Sequence, residues 1–124
     1  MSERIFHITT ERAWAEANAQ HAYTADSLAT EGFIHCSKAD QVVWVANQRF
    51  RGRTDLVLLH IDPSRLDAKV VYENLEGGEQ LFPHVYGPIP VSAVVDVTPF
   101  LPSKDGMFCL ELSLESTRGD RETV

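Results

Sequence analysis

A histidine and a serine stand two residues apart in the segment Gly32-Phe33-Ile34-His35-Cys36-Ser37. Alternate side chains of a strand project from the same face, so a strand here places His35 and Ser37 on one face and Cys36 on the other. An imidazole can transfer protons near neutral pH, and a hydroxyl can donate or accept a hydrogen bond. The spacing predicts a polar site on one face and a core thiol on the other. Ser37 precedes Asp40 by three residues, so it could instead cap a helix.

The same spacing of a histidine and a hydroxyl recurs in two other apolar segments. His7 precedes Thr9 near the start of the chain, and His84 precedes Tyr86 far downstream. Pro83 restricts the backbone beside the second pair, which suits an ordered binding loop as well as a buried aromatic corner. A lone histidine in an apolar strand is more often structural. Three in this pattern predict one shared cleft, provided that their strands are neighbours.

Glu73 is the carboxylate best placed for chemistry. It follows Val70, Val71 and Tyr72 in a segment typical of a strand, whereas the nearby aspartates fall at element ends where turns and caps explain them. A carboxylate in a strand needs a partner or an exposed face, and it can bind ribose hydroxyls or stabilise an oxocarbenium-like cation. The sequence predicts either such a role or a plain solvent-facing side chain.

Metal ligation and nucleophilic catalysis find little support in the spacings. His35 and Cys36 are adjacent on a strand and face opposite sides, so they cannot easily share an ion or act as a nucleophile and its base. The chain contains no HxH, HExxH, CxxC, G-x-S-x-G, GxGxxG or Walker A pattern. A three-histidine site at His7, His35 and His84 is the alternative, but we expect no metal.

Composition and charge restrict the partners. The 124 residues are 44% hydrophobic and 23% charged, which is typical of one globular domain. The formal net charge of −7 argues against a nucleic-acid partner. No apolar run approaches the roughly 20 residues that span a bilayer, and no signal-peptide pattern precedes Ile5. We expect a cytoplasmic protein with no membrane partner and with Cys36 and Cys109 reduced.

Several other ionisable residues have a structural explanation. Arg49, Arg51 and Arg53 cluster where a helix is expected to end, and cations there complement the helix dipole. His21 and His60 have less support for a site role, and we predict surface or structural positions for both.

The elements that would position these groups are helical early in the chain and strand-rich late. Strands are predicted at Ile5–Thr9, Phe33–Ser37, Asp55–Asp62, Lys69–Asn74, Leu81–Tyr86 and Val91–Phe100, and helices at Glu11–Gln20 and Lys38–Arg49. The unbroken apolar centre of Asp55–Asp62 indicates a buried central strand, whereas Pro83 favours an edge, a bend or a site loop. Met107–Leu112 could add a last strand before a frayed tail. This order predicts a single α+β domain with two main helices.

These segments together resemble the bacterial DUF952 family of unknown function. The motifs GFIHCS and FPHxYGP are the specific ones. Further matches are Phe6–Thr9, Ser27–Glu31, Gln41, Val45–Asn47, Asp55–Leu59 and Tyr72-Glu73. The resemblance implies a family domain over residues 1–102 and an extension over residues 103–124. It also implies a fold similar to that of ADP-ribosyltransferases, with a split or curved, mostly antiparallel sheet and a cleft that holds NAD or a related nucleotide.

The resemblance also implies roles for individual residues. His7 matches the first-strand residue that contacts a ribose in transferases of this fold, and Glu73 is a candidate for the later glutamate that assists transfer. The second-strand role falls near His35 and Ser37, although the transferase tyrosine is absent from that strand.

Two functions are compatible with this pattern, beside a purely structural role for the three histidines. The first is an enzyme resembling ADP-ribosyltransferases, a transferase or hydrolase that acts on NAD or on an ADP-ribosylated or nucleotide substrate. The second is a non-catalytic module that binds a nucleotide or small ligand. The predicted catalytic residues are His7, His35 and Glu73, and the predicted ligand-binding residues are Thr9, Ser37, His84 and Tyr86.

Overall fold

A computed structural model describes residues 3–74 and 78–109 of the chain. The strands of this part are β1 (Ile5–Thr10), β2 (Ala22–Tyr23), β3 (Ile34–His35), β4 (Leu56–Ile61), β5 (Val70–Glu73), β6 (Phe82–Val85), β7 (Ile89–Pro90) and β8 (Val94–Pro99). The helices are α1 (Glu11–Gln20), α2 (Asp26–Glu31) and α3 (Val42–Arg49). The paired strands are antiparallel, so the α+β prediction is confirmed. α1 and α3 are the two main helices that the sequence predicts, and α2 adds a third, short helix that ends at Gly32 in the left-handed conformation.

The first sheet has the order β1-β4-β8, with the predicted central strand in the middle. Every residue of β4 is buried, as its unbroken apolar sequence indicates. Alternate residues serve two cores: Leu59 packs with Ala17 of α1, and Leu58 packs with Ala46 of α3. His60 is buried in this strand with its Nε2 3.0 Å from the Thr98 hydroxyl, so its structural role is confirmed.

The second sheet has the order β3-β6-β5 and carries the predicted site segments on neighbouring strands. His35 of β3 is opposite His84 of β6, and Glu73 of β5 is opposite Phe82 of β6. A single bridge joins this sheet to β1, where the backbone of Ser37 exchanges hydrogen bonds of 2.8 and 2.7 Å with that of Phe6. The strands that carry the three histidines are therefore neighbours, which was the condition for a shared cleft.

Pro83 lies inside β6, the middle strand of the second sheet, so its predicted edge or loop position is wrong. Backbone N and O of one residue point to the same neighbour in an antiparallel ladder. The Pro83 carbonyl accepts from the Cys36 N–H at 3.0 Å, so the missing donor faces β3. Because β3 ends at His35, the proline costs one hydrogen bond at the end of a short pairing.

The helix starts and the last segment complete the frame. Thr10 caps α1 by accepting from the Ala13 N–H at 3.0 Å. Ser37 does not cap α3, which follows Gln41, so that alternative is wrong. Met107–Cys109 is not a strand, and the rest of the strand predicted to Leu112 lies outside the described residues. Phe108 is nevertheless buried, with its ring centroid 4.7 Å from that of Phe100.

Candidate functional site

A cavity of about 300 Å³ opens where β1, β3, β5, β6 and α3 meet. Five of the seven predicted site residues line it, and they are His7, His35, Ser37, Glu73 and His84. Thr9 and Tyr86 do not line the cavity, but each hydroxyl contacts a side chain that does, that of Tyr23 and that of Glu73 respectively. The sheet order thus brings together residues that are far apart in sequence.

His7 is held from both sides by protein groups. Its Nδ1 lies 2.5 Å from the His35 carbonyl oxygen and its Nε2 lies 2.8 Å from the Tyr23 hydroxyl. Burial lowers the pKa of His7 to about 4, an effect that the hydrogen bond to the His35 backbone opposes. The ring is therefore neutral at pH 7. A carbonyl only accepts, so Nδ1 carries the proton.

This tautomer fixes the polarity of the β1 wall, by which we mean His7, Tyr23 and Thr9. An unprotonated Nε2 accepts the Tyr23 proton, and the Thr9 hydroxyl, 3.0 Å from that of Tyr23, is left to donate to it. Burial also raises the pKa of Tyr23, so its hydroxyl keeps its proton. The wall is a closed chain of hydrogen bonds whose members already have protein partners.

The β5–β6 wall, by which we mean Glu73, His84 and Tyr86, ends in a carboxylate instead. Glu73 Oε1 accepts from the Tyr86 hydroxyl and from His84 Nδ1, the latter at 2.9 Å. The Tyr86 hydrogen bond, followed by that of His84, lowers the pKa of Glu73, and the same carboxylate raises the pKa of Tyr86. Because an ionised carboxylate only accepts, Nδ1 of His84 carries a proton and Nε2 is the ring nitrogen that remains for a ligand.

Phe33 fixes the rings of this wall from behind. It is buried, and its ring stacks on that of His84 with centroids 4.1 Å apart and an interplanar angle of 17°. It also contacts the rings of His35 at 4.8 Å and Tyr86 at 5.3 Å. One core phenylalanine therefore supports the rings of three predicted site residues. Two of these residues, His35 and His84, line the cavity.

His35 stands between the two walls. Its backbone carbonyl holds His7, while its ring lies 5.3 Å from that of His84. Nε2 lies 3.3 Å from both carboxylate oxygens of Glu31, and the two side chains are 36% and 50% exposed. His35 is thus the most solvent-accessible of the three histidines and can reach a ligand from the cavity mouth.

Ser37 and Cys36 do not separate fully as the strand alternation predicts, because both line the cavity. Ser37 is buried and lines the cavity. Cys36 belongs to the core that includes Ile34, and burial raises the pKa of its thiol. Cys36 is therefore a poor nucleophile at neutral pH.

Sequence reasoning missed Tyr23, Arg49, Trp44 and Phe82, which all line the cavity. Arg49 lines it, although the sequence explained the residue as a helix end. Val45 and Arg49 are four apart on α3, so both fall on one helical face, and this spacing could have revealed the arginine. Trp44 and Phe82 also line the cavity, but only the pairing of α3 with β6 brings them together.

Two classes of site lack support in the described residues. Within residues 3–74 and 78–109, no three histidine, cysteine, aspartate or glutamate side chains converge in a way that could hold a metal ion. The same part of the chain has no helix that is long and apolar enough to cross a membrane.

Comparison with known proteins places the chain beside proteins without an assigned activity. The profile of the family described as "Protein of unknown function (DUF952)" matches residues 8–97. The crystal structure of protein CC0527 from Caulobacter crescentus is 30% identical with a TM-score of 0.78, and the alignment covers 98% of this chain and 99% of that one. A solution NMR structure of CC0527 is 32% identical with a TM-score of 0.76, covering 87% and 93% of the two chains. No functionally curated protein matches.

Proposed function

The chain belongs to the DUF952 family of proteins of unknown function, and we propose that its cavity binds NAD, ADP-ribose or a related nucleotide, with Glu73 acting on the ribose. One observation carries the proposal. Glu73 is a carboxylate kept ionised by two hydrogen-bond donors, and it lines the same cavity as His35 and His84. An ionised carboxylate beside an imidazole suits a reaction that develops positive charge on a sugar.

The proposed chemistry divides between two groups. When the bond at the anomeric carbon of an ADP-ribosyl group breaks, the ribose takes on oxocarbenium character, which the Glu73 carboxylate would stabilise. Nε2 of His84 would accept the proton of the attacking water or hydroxyl, because Nδ1 is held by Glu73. His35 and Ser37 would contact the base or phosphates at the mouth.

An ADP-ribosyltransferase-like fold is part of the same proposal. It is supported by two three-stranded antiparallel sheets that meet at the bridge between Phe6 and Ser37, beside the cavity. In this arrangement His7 and Thr9 act at a distance from the ligand, since both ring nitrogens of His7 and the hydroxyl of Thr9 have protein partners. His7 would then position Tyr23 and the His35 backbone rather than contact the ribose itself.

A non-catalytic binding module is the second candidate. The closed hydrogen-bond chain of the β1 wall favours it, because that wall presents few polar groups that a reaction could use. Both candidates keep the expected cytoplasmic location, which the free thiols of Cys36 and Cys109 support.

The two candidates separate in one experiment with the full chain. Melting temperature is measured with NAD, ADP-ribose and AMP, and hydrolysis of NAD to nicotinamide and ADP-ribose is followed by chromatography. A ligand at about 100 times its Kd stabilises the folded state by about 2.7 kcal/mol, which raises the melting temperature by several degrees. We expect Glu73→Gln to retain this rise and to lose turnover by about 100-fold or more.

Glu16→Gln on α1 is the matched control, since Glu16 is an exposed glutamate outside the cavity. It should leave both readouts unchanged. A ligand-induced rise without turnover of any compound would select the binding module. No rise with any of the three compounds would overturn both candidates.

A further inference from the structure

The aromatic pair at the cavity mouth suggests how such a ligand is recognised. We propose that Trp44 and Phe82 form a stacking platform for the heteroaromatic base of a nucleotide, so that the cavity selects ligands with a base over sugar phosphates without one. This inference rests on the proposed nucleotide-binding function and specifies the part of the ligand that is read.

The exposure of Trp44 is the first observation. Its residue surface is 55% exposed although tryptophan is the largest apolar residue, and it lines the cavity from the first turn of α3. Single exposed apolar residues are common. Trp44, however, is paired with a second ring at the mouth of a cavity that also holds ionisable groups.

The geometry of the pair is the second observation. The Trp44 and Phe82 rings have centroids 6.5 Å apart and planes only 28° from parallel. Because the two ring planes have nearly the same orientation, both rings can stack on one planar ring, and base–aromatic stacking is tolerant of base identity. The pair is thus suited to a planar ring and shows no preference among bases.

The position of Phe82 relative to the β5–β6 wall is the third observation. Phe82 and His84 are two residues apart on β6 and project from the same face, which separates them by about 7 Å along the strand. Phe82 is also directly opposite Glu73 in the pairing of β5 with β6. A base stacked on the platform therefore leaves the ribose attached to it next to Glu73 and His84.

Arg49 supplies a complementary charge. It lines the cavity from the same helix as Trp44, in a chain whose formal net charge is −7. A guanidinium matches the geometry of phosphate oxygens. A base on Trp44 and a phosphate near Arg49 together describe a nucleotide rather than a nucleoside or a simple sugar phosphate.

Fluorescence of Trp44 and calorimetric affinity test the platform in the full chain. Trp14→Phe leaves Trp44 as the only tryptophan, since the chain has two. AMP and ADP-ribose should change the Trp44 emission, and ribose 5-phosphate should not. Trp44→Leu should weaken AMP and ADP-ribose by about 5-fold to 100-fold while leaving ribose 5-phosphate unchanged.

Trp44→Phe and Leu81→Ala are the matched variants. The first keeps a ring on the platform and should bind AMP nearly as well as the parent, even if Trp44→Leu proves unstable. The second removes a half-exposed apolar side chain outside the cavity and should change nothing.

Two results would overturn the platform while the proposed function stands: equal weakening of all three ligands by Trp44→Leu, or binding of ADP-ribose with no change in Trp44 emission. Absence of any ADP-ribose binding to the parent protein would overturn the proposed function, and the platform with it.

Discussion

Each of the two cavity walls contains a buried histidine, but the two histidines have different hydrogen-bond partners. On the β1 wall, His7 donates to a backbone carbonyl and accepts from Tyr23, so both nitrogens are used inside the protein. On the β5–β6 wall, His84 donates to the carboxylate of Glu73 through Nδ1, and its Nε2 is the nitrogen proposed to meet a ligand. Both ring nitrogens of His7 therefore hold the fold together, whereas Nδ1 of His84 holds the carboxylate of Glu73 in the cavity wall.

Burial alone does not separate the two histidines. His7 and His84 are 8% and 4% exposed, so each ring is largely out of water. What differs is the charge of the acceptor, a neutral carbonyl for one and an ionised carboxylate for the other. A hydrogen bond to an ionised acceptor is stronger than one to a neutral carbonyl.

The largest effect that would separate the walls is on turnover. His84→Asn removes the ring nitrogen proposed as general base, and we expect turnover of the nucleotide substrate to fall by about 100-fold or more, as measured by product release. His21→Asn is the control, because His21 is an exposed histidine at φ 66°, a conformation that asparagine tolerates. Turnover retained in His84→Asn would place the chemistry elsewhere.

The next effect is on stability and falls on the other wall. His7→Phe leaves the Tyr23 hydroxyl and the His35 carbonyl without their partner, which should lower the free energy of unfolding by about 4 kcal/mol in urea titrations. His7→Gln can donate and accept through its amide, so its loss should be smaller. If His7→Phe abolished turnover but left stability intact, His7 would be a ligand contact and the comparison would be reversed.

The pH dependence of stability gives a third test. The pKa of His7 is about 4 in the folded chain against an ordinary 6.5, so the unfolded chain binds more protons between these values. Stability is therefore present above pH 6.5 and is lost as the pH falls toward 4, by about 2 kcal/mol at pH 5. Burial lowers the pKa of His60 too, which adds loss in the same direction.

Urea unfolding at pH 7 and pH 5 measures this loss. His7→Gln removes the titrating group, so its unfolding free energy should fall less over the same interval than that of the parent. Equal falls in both proteins would show that His7 does not contribute to the pH dependence.

The smallest expected effect concerns the contact between Glu31 and His35. Glu31→Gln weakens a half-exposed contact of 3.3 Å to His35, and exposed pairs of this kind contribute about 0.5 kcal/mol or less. Melting temperature and turnover should both stay close to the parent values. A large loss of turnover would give Glu31 a positioning role equal to that of Glu73.

Local sequence patterns were sufficient to predict part of the fold and part of the candidate site. Strand alternation predicted that Ser37 would face a site and Cys36 the core; Ser37 does line the cavity, but Cys36 lines it too while also packing in the core. The apolar run of β4 predicted its central place. The seven site residues were chosen by type and spacing, and five of them line one cavity. Their roles stay predictions, because contact with a cavity does not establish what is bound there.

The features that the sequence did not predict depend on contacts between distant segments of the chain. Tyr23 completes the β1 wall through partners 14 and 16 residues away, and no local pattern marks it. Pro83 favoured an edge position because proline lacks a backbone donor. It lies in a middle strand instead, and the sequence does not show that the neighbouring strand β3 is short enough to allow this. Trp44 meets Phe82 only because α3 folds beside β6. Such pairings belong to the topology and not to any one segment.

The most direct test of the central claim is the heteronuclear NMR spectrum of the imidazole groups, recorded with and without ADP-ribose. We expect the ring resonances of His84 and His35 to shift on addition, and His7 to stay a neutral ring protonated at Nδ1. A shift of His7 with no shift of His84 would contradict the account, as would a spectrum in which no histidine responds.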